Sequence, residues 1–243
     1  GDPTVVEERI TTGLSFLNDA MDGGLARGEL GFVLAQPNAG KTTCLITHGA
    51  AAVRAGYKVL HITLEVSAFN LSRRYDMNFL GMTKKELATK PARAVARMRA
   101  AARNIASDAL VVKEFPTMGA SPADIDALLD SLRNQRGFAP DVIIVDYVAL
   151  MRSSSRFEQP RHEIADVARH LRRIGGQRKA AMWSAHQSNR EGSKLGATDV
   201  LGMRDLAECY DIAAIADVIY SLNQNPDERI AQTARLHMVR SRE

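Results

Sequence analysis

The chain has 243 residues, of which 45% are hydrophobic and 25% are charged, and its formal net charge is +4. This composition is typical of a globular protein, and the small positive charge permits a polyanionic partner without requiring one. No apolar run approaches the roughly 18 residues of a membrane span, so a membrane protein is not expected. Two cysteines cannot form a disulfide framework, which favours a reducing, cytoplasmic setting. Because the chain begins with Gly1, we expect an excised fragment of a longer protein.

Apolar runs of strand length alternate with segments of helical periodicity along the sequence. The predicted strands cover residues 31–36, 58–65, 109–115, 141–150, 180–187, 217–224 and 234–241. The predicted helices cover about 41–55, 68–80, 83–106, 121–136, 162–178 and 203–214. Near-continuous Val, Ile and Leu runs between helices are typical of a parallel sheet covered on both faces. We therefore predict one α/β domain over residues 13–243, preceded by an N-terminal arm over residues 1–12.

The stretch AQPNAGKTT lies between a predicted strand and a predicted helix. A loop joined to a helix N-terminus can hold a phosphate chain with its backbone N–H groups. Lys41 would place its charge on the terminal phosphates, and the Thr42 hydroxyl would hold Mg²⁺. The opening position, usually glycine, needs only a small residue, so Ala35 is compatible with this chemistry. The predicted phosphate-binding residues are Ala35, Gln36, Pro37, Asn38, Ala39, Gly40, Lys41, Thr42 and Thr43.

Two further strands end in carboxylates. The run DVIIVDY places Asp146 at the carboxyl end of a buried strand, where open α/β sheets bind ligands and where a carboxylate can hold Mg²⁺ opposite Thr42. The run HITLE delivers Glu65 to the same edge, where it could orient and deprotonate an attacking water. Together with the phosphate loop, these residues predict a nucleoside triphosphate hydrolase that uses ATP or another NTP with Mg²⁺.

From about Thr11 to Arg242 the sequence resembles the RecA-like motor domain of DnaB-type hexameric replicative helicases, particularly phage-like relatives. The resemblance is carried by TTGLSFLNDAMDGGLARGEL, AQPNAGKTT, TLEV, VIIVDYVALM, SAHQSNR, RDLAECYDIAAIADVI and VRSRE. It implies a RecA-like P-loop NTPase core, with a mostly parallel central sheet and helices on both faces.

The resemblance also implies roles for individual side chains. Glu65 matches the catalytic glutamate, and either His186 or Gln187 matches the polar sensor of the γ-phosphate, with alignment on the following NR favouring Gln187. Arg240 takes the place of a lysine, and Arg242 matches the arginine finger that reaches the nucleotide of a neighbouring subunit. Hydrolysis would then require a homo-oligomer, expected to be a hexameric ring.

The DNA-contacting loop departs from the family pattern. The segment matches at Asp205, Leu206, Glu208, Ala216 and Asp217, but Ala207 and Tyr210 stand where the family has Arg and Gly. Single-stranded DNA would need other donors, which could give a sequence-independent grip on the phosphates. The predicted DNA-binding candidates are Arg152, Arg156, Arg190, Lys194 and Arg204.

The function that the resemblance implies is an ATP-dependent DNA helicase motor. It would travel 5′ to 3′ on single-stranded DNA, unwind duplex during replication and contact primase or other replisome proteins. Two alternatives stay open at this point: a RecA/RadA-like recombinase and a KaiC-like regulatory ATPase. DNA stimulation of the ATPase would separate the motor and the recombinase from the regulator.

Several residues are interpreted as structural. Trp183 and Cys44 are expected to pack in the core, and Tyr147 either contacts the nucleotide or fills the edge of the sheet. The basic region 83–104, interrupted by Pro91, is read more readily as a solvated helix face than as a nucleic-acid site.

Overall fold

A computed structural model describes residues 8–155, 157–188, 199–203, 205 and 210–242. The strands in these ranges are β1 (Arg9–Ile10), β2 (Leu25–Ala26), β3 (Leu30–Ala35), β4 (Val59–Thr63), β5 (Leu110–Glu114), β6 (Val142–Asp146), β7 (Ala181–Gln187), β8 (Val218–Asn223) and β9 (Arg235–Ser241). The helices are α1 (Ser15–Ala20), α2 (Lys41–Arg54), α3 (Ala68–Leu80), α4 (Lys84–Thr89), α5 (Pro91–Ala101), α6 (Pro122–Arg136), α7 (Pro160–Arg178), α8 (Tyr210–Ile215) and α9 (Pro226–Ala231).

One large sheet organises the molecule. Within the described ranges it contains seven strands in the order β5-β4-β6-β7-β3-β8-β9. Every neighbouring pair is parallel except β8 and β9, which are antiparallel. All seven predicted strands are present, and the mostly parallel sheet is confirmed. Its carboxyl edge carries the ends of β3, β4, β6 and β7, and these ends position the candidate site.

Helices cover both faces of this sheet, as predicted. Alternate side chains of the central strands pack on one face against α6, α7 and α8. The intervening side chains pack on the other face against α1 and α2. Helix α3 extends this second layer, because Leu71 and Tyr75 pack against Ile46 and Ala50 of α2. Both faces are therefore apolar, which explains why the strands read as near-continuous hydrophobic runs.

The described part of the predicted arm, residues 8–12, is joined to the core. Strand β1 pairs antiparallel with β2, and Ile10 of the predicted arm is 2% exposed. Both ring nitrogens of the buried His48 on α2 form hydrogen bonds. Nδ1 lies 2.8 Å from the Thr12 carbonyl oxygen, and Nε2 lies 2.7 Å from the Tyr220 hydroxyl. The Thr12 carbonyl can only accept, so Nδ1 carries the proton and Nε2 accepts from Tyr220. This link ties the opening segment to α2 and to β8.

A glycine in the middle of the sheet makes room for the tryptophan. Gly31 of β3 lies in register with Trp183 of β7, and a methyl group on Gly31 would come within 2.4 Å of the Trp183 ring. Trp183 is 3% exposed and packs in the core, as the sequence predicts. The same holds for Cys44, which is buried on α2.

Two predicted segments are shorter than expected. The predicted strand 141–150 ends at Asp146, and residues Val148–Leu150 form a 3₁₀ turn instead, so the longer strand is wrong. The apolar letters after Asp146 misled the prediction, since they pack as a buried turn. The predicted helix 83–106 is divided at Pro91, where α5 begins, and it ends at Ala101. None of the helices in the described ranges is both long and apolar enough to cross a bilayer.

Candidate functional site: a phosphate loop facing two carboxylates

The phosphate loop joins β3, which ends at Ala35, to α2, which begins at Lys41. Two residues of the turn have left-handed backbones: φ is 58° at Asn38 and 102° at Gly40. A methyl group on Gly40 would meet its nearest neighbour at an ordinary 3.5 Å, so space is not the constraint. The constraint is the backbone conformation, which a residue with a side chain adopts only under strain. These two left-handed residues turn the chain from the end of β3 into the N-terminus of α2.

The Lys41 side chain is buried, and its ammonium lies 5.5 Å from the centre of the Tyr147 ring. Burial lowers the pKa of Lys41, whereas the nearby carboxylates of Glu65 and Asp146 oppose that shift. A cation over an aromatic face is attracted by the ring quadrupole. Tyr147, whose role the sequence leaves open, therefore contacts the phosphate-loop lysine.

Asp146 ends β6 with a fully buried side chain. The Thr42 hydroxyl donates a hydrogen bond of 2.7 Å to Asp146 Oδ2. Burial raises the pKa of Asp146 to about 6, the Thr42 hydrogen bond opposes this rise, and the charge of Glu65 adds to it. Asp146 Oδ1 is buried without a hydrogen-bond partner among the described residues. A buried carboxylate oxygen without a partner is costly unless a ligand completes it.

This pair of oxygens fits Mg²⁺. The ion prefers octahedral oxygen ligands and is usually held by one or two protein groups, with phosphate oxygens and waters completing the shell. Thr42 and Asp146 supply such groups side by side. Within the described residues, no cluster of three or more His, Cys, Asp or Glu side chains could hold a metal alone. The donor set therefore suits a cation that arrives with a phosphate chain.

Glu65 lies just after β4 at the same edge of the sheet, and its side chain is exposed. Its charge raises the pKa of Tyr147 and of Asp146 and also acts on Lys41, so the four residues form one electrostatic group. A solvent-facing carboxylate beside a phosphate site can contact water, as a general base must.

The end of β7 brings two candidate sensors to the loop. His186 is 8% exposed, and its Nδ1 has no hydrogen-bond partner among the described residues. Burial lowers the pKa of His186 to about 4, and the Lys41 ammonium contributes. Gln187 is half-buried and pairs in register with Ala35. Successive strand residues point to opposite faces, and Gln187 shares the α2 face of the sheet with Trp183 and Ala185, whereas His186 shares the other face with Met182. Both side chains therefore stay candidates for the sensor.

A cleft of about 370 Å³ adjoins the loop on its other side. It lies between Gly40 and Thr43 of the loop and Arg229 and Gln232 of the β8–β9 connection. Helix α9 in this connection begins with a capping box, Asn225 with Glu228, which fixes its position. No sequence motif predicts this cleft, although the letters NPDE are a helix-start signal that could have placed an ordered element here.

Arg242 lies at the opposite, amino edge of the sheet. Its Nη1 is 3.5 Å from Asp217 Oδ1, and its Nη2 donates to the Ala214 carbonyl. Arg172 shares the same carboxylate at 2.6 Å. Arg240 pairs in register with Ile219 near the same end of β8. The structure therefore does not bring Arg240 or Arg242 to the phosphate loop of their own chain.

The predicted DNA-binding residues are only partly covered. Arg152 is exposed after the 3₁₀ turn, with its Nη2 3.6 Å from Asp124 Oδ2. The other four candidates lie outside the described residues: Arg156, Arg190, Lys194 and Arg204. Three residues of the loop that departs from the family also lie outside them: Leu206, Ala207 and Glu208.

Comparison with known proteins identifies the family. The sequence profile described as "DnaB-like helicase C terminal domain" matches residues 9–242, nearly the whole chain. The chain belongs to this family. The family assignment supports a helicase motor domain rather than a recombinase or a regulatory ATPase.

Curated relatives agree with this assignment. The chain is 26% identical over 235 residues to the DnaB-like replicative helicase of Enterobacteria phage T4, covering 94% of this chain and 49% of that protein. It is 26% identical over 222 residues to the replicative DNA helicase DnaB of Leifsonia xyli subsp. xyli, covering 88% of this chain and 46% of that protein. The chain thus spans about half the length of these relatives.

Solved structures show the same fold. The ATPase domain of G40P superposes with a TM-score of 0.79 at 15% identity, covering 99% of this chain and 86% of that one. A DnaB-like replicative helicase, described together with its interactions with primase, superposes with a TM-score of 0.81 at 14% identity, covering 99% and 58%. The predicted RecA-like core is confirmed.

Proposed function

We propose that this domain is the NTP-driven motor of a replicative DNA helicase. In this proposal it binds ATP or another NTP with Mg²⁺, hydrolyses it between subunits and moves 5′ to 3′ along single-stranded DNA in the cytoplasm. The observation that carries the proposal is the 2.7 Å contact between Thr42 and Asp146, whose second oxygen has no partner among the described residues, beside the buried Lys41.

Each side chain has a distinct task in this proposal. The loop N–H groups and Lys41 would bind the phosphates. Thr42 and Asp146 would hold Mg²⁺, which would supply positive charge to the phosphate oxygens. Glu65 orients the attacking water and accepts its proton. Gln187, on the α2 face at the end of β7, is the proposed sensor of the γ-phosphate. His186 is the alternative, and it is neutral at physiological pH because burial lowers its pKa to about 4. The cleft between Thr43 and Arg229 gives the nucleoside a place beside the loop.

The separation of Lys41 and Arg242 supports hydrolysis between subunits. The six residues of β8 alone span about 20 Å between the two edges. For Arg242 to act on the phosphates it must then come from another copy, with the amino edge of one chain against the carboxyl edge of the next. Such a head-to-tail contact is heterologous and generates a ring if it closes, and we propose a hexamer. Primase and other replisome proteins are the proposed partners of the assembled ring.

Subunit mixing tests this proposal. Glu65→Gln and Arg242→Ala should each abolish NTP turnover while nucleotide binding is retained, because neither group is needed to bind the phosphates. When the two variants are mixed in equal amounts, about one quarter of the interfaces combine an intact Glu65 with an intact Arg242, so turnover should return to roughly that fraction. Without recovery on mixing, the inter-subunit site would be refuted.

Two controls make this experiment specific. Arg172→Ala removes an arginine from the same Asp217 carboxylate, so it tests whether loss of that ion pair alone stops turnover. We expect Arg172→Ala to retain most of the activity. Single-stranded DNA should stimulate the wild-type rate, and a rate that DNA leaves unchanged would contradict the motor and favour a regulatory ATPase.

A further inference from the structure

A groove with a positively charged lining runs along the outer face of α3. Its volume is about 320 Å³. Three of its six lining residues are cationic and none is acidic: Val66, Asn70, Arg73, Arg74, Met77 and Lys84. Neither the phosphate loop nor the β8–β9 cleft shares a residue with this basic groove. It is therefore a separate feature of the surface.

The three cations are not used to hold the fold together. Among the described residues, Arg73, Arg74 and Lys84 form no ion pair and no hydrogen bond through their side chains. Arg73 instead lies 5.7 Å from the centre of the Phe69 ring, which is 70% exposed. Arg73 acts electrostatically on the Asp76 carboxylate and Arg74 on the Asp146 carboxylate, and both carboxylates lie outside the lining. Within the lining the grouped cations repel one another, and an anionic ligand would relieve that repulsion.

The groove begins beside the hydrolytic centre. Val66, one of its lining residues, directly follows Glu65 in sequence. The charge of Arg74 also reaches the Asp146 carboxylate and lowers its pKa in opposition to burial. The groove therefore lies within electrostatic reach of the Asp146 carboxylate.

The chemistry of the lining selects a particular class of anion. An arginine guanidinium presents paired N–H donors that match two oxygens of a phosphate. Lys84 adds a third positive charge, and the Asn70 amide adds neutral hydrogen-bonding capacity. No lining carboxylate competes for these donors.

We propose that the basic groove formed by Arg73, Arg74 and Lys84 binds a phosphate group next to the hydrolytic centre. Free phosphate leaving the site is one source of the ligand, and this source rests on the proposed NTP hydrolysis. The phosphodiester of a nucleic-acid strand is the other source, with the exposed Phe69 available for base stacking.

Calorimetric titration with inorganic phosphate tests the groove without relying on hydrolysis. The titration uses the Lys41→Ala chain, in which the phosphate loop lacks its own cation. Adding Arg73→Ala and Arg74→Ala should weaken phosphate binding by at least about tenfold, because two charge-assisted contacts are removed. The matched control is Arg99→Ala with Arg103→Ala, which removes two exposed arginines from α5 and the turn after it. This control should bind phosphate as before.

A second titration with a short oligothymidylate distinguishes the sources. If only phosphate binding depends on Arg73 and Arg74, the ligand is free phosphate. If oligonucleotide binding depends on them, the ligand is a phosphodiester. The proposal is overturned if neither titration changes, or if Arg99→Ala with Arg103→Ala weakens binding equally, since either result assigns the effect to general surface charge. If the wild-type chain does not hydrolyse NTP but phosphate binding still depends on Arg73 and Arg74, the proposed function is rejected and the phosphate site in the groove stands.

Discussion

The buried His48 makes the stability of this domain sensitive to acid. Burial lowers the pKa of His48 to about 4, against an ordinary value of 6.5, and the Thr12 carbonyl only partly opposes this. Its Nε2 must stay unprotonated to accept from the Tyr220 hydroxyl. Between these two pKa values the unfolded chain binds a proton that the folded chain does not. The stability linked to His48 is therefore complete above the ordinary pKa and is lost as pH falls.

The magnitude follows from the two pKa values. Taking the pH from about 7.5 to about 5 should lower the free energy of unfolding by about 2 kcal/mol through His48 alone. His61 and His186 are also buried, and burial lowers their pKa values to about 3 and about 4. They contribute losses of similar size, so the wild-type response exceeds that of any one histidine.

Replacing His48 with Gln isolates its share. Glutamine does not titrate, so the drop in the free energy of unfolding between the two pH values should be about 2 kcal/mol smaller in His48→Gln than in the wild type. Carboxylates contribute equally to both proteins and cancel in the comparison. Urea unfolding followed by circular dichroism measures the four free energies. An identical drop in the two proteins would show that His48 does not titrate as its burial requires.

Three further outcomes are expected from the structure. Gly49→Ala should destabilise the fold by about 1–3 kcal/mol, because the new methyl group would lie 2.2 Å from Tyr75 Oη. Urea unfolding measures this loss of stability, and an unchanged unfolding midpoint would contradict the packing. Tyr147→Leu should raise the KM for NTP several-fold, whereas the KM of Tyr147→Phe should stay near the wild-type value, because phenylalanine keeps the ring beside Lys41. Equal KM values in the two variants would exclude a role for the contact. Asp146→Asn should abolish the Mg²⁺-dependent rise in melting temperature that nucleotide causes, and a retained rise would remove Asp146 from the metal site.

Sequence patterns were sufficient for the sheet and for the carboxylates at its carboxyl edge. Asp146 and the start of α2 at Lys41 follow from local signals: an apolar run that ends in a carboxylate, and a turn that precedes a helix. Glu65 follows in the same way from the end of β4. Parallel strands bring such ends to one edge whatever their order, so the site could be predicted before the strand order was known.

Features that depend on side-chain direction or strand order could not be predicted in this way. Tyr147 contacts Lys41 because of how two separate loops meet, and no spacing in the sequence encodes that distance. The choice between His186 and Gln187 depends on which face each occupies, which alignment of letters does not register. The antiparallel edge strand β9 likewise reads like any other apolar run, although its direction carries Arg242 to the far edge.

The close fit of Trp183 against Gly31 gives the protein a built-in optical reporter. The chain has a single tryptophan, so its indole fluorescence originates at one point of the sheet. That indole lies 4.5 Å from the His48 ring, centroid to centroid, and three residues before His186 along β7. Protonation of a neighbouring imidazole quenches indole emission. Trp183 fluorescence therefore reports the protonation of His48 on α2, the helix behind the phosphate loop. It also reports the integrity of the central strands, without any added label.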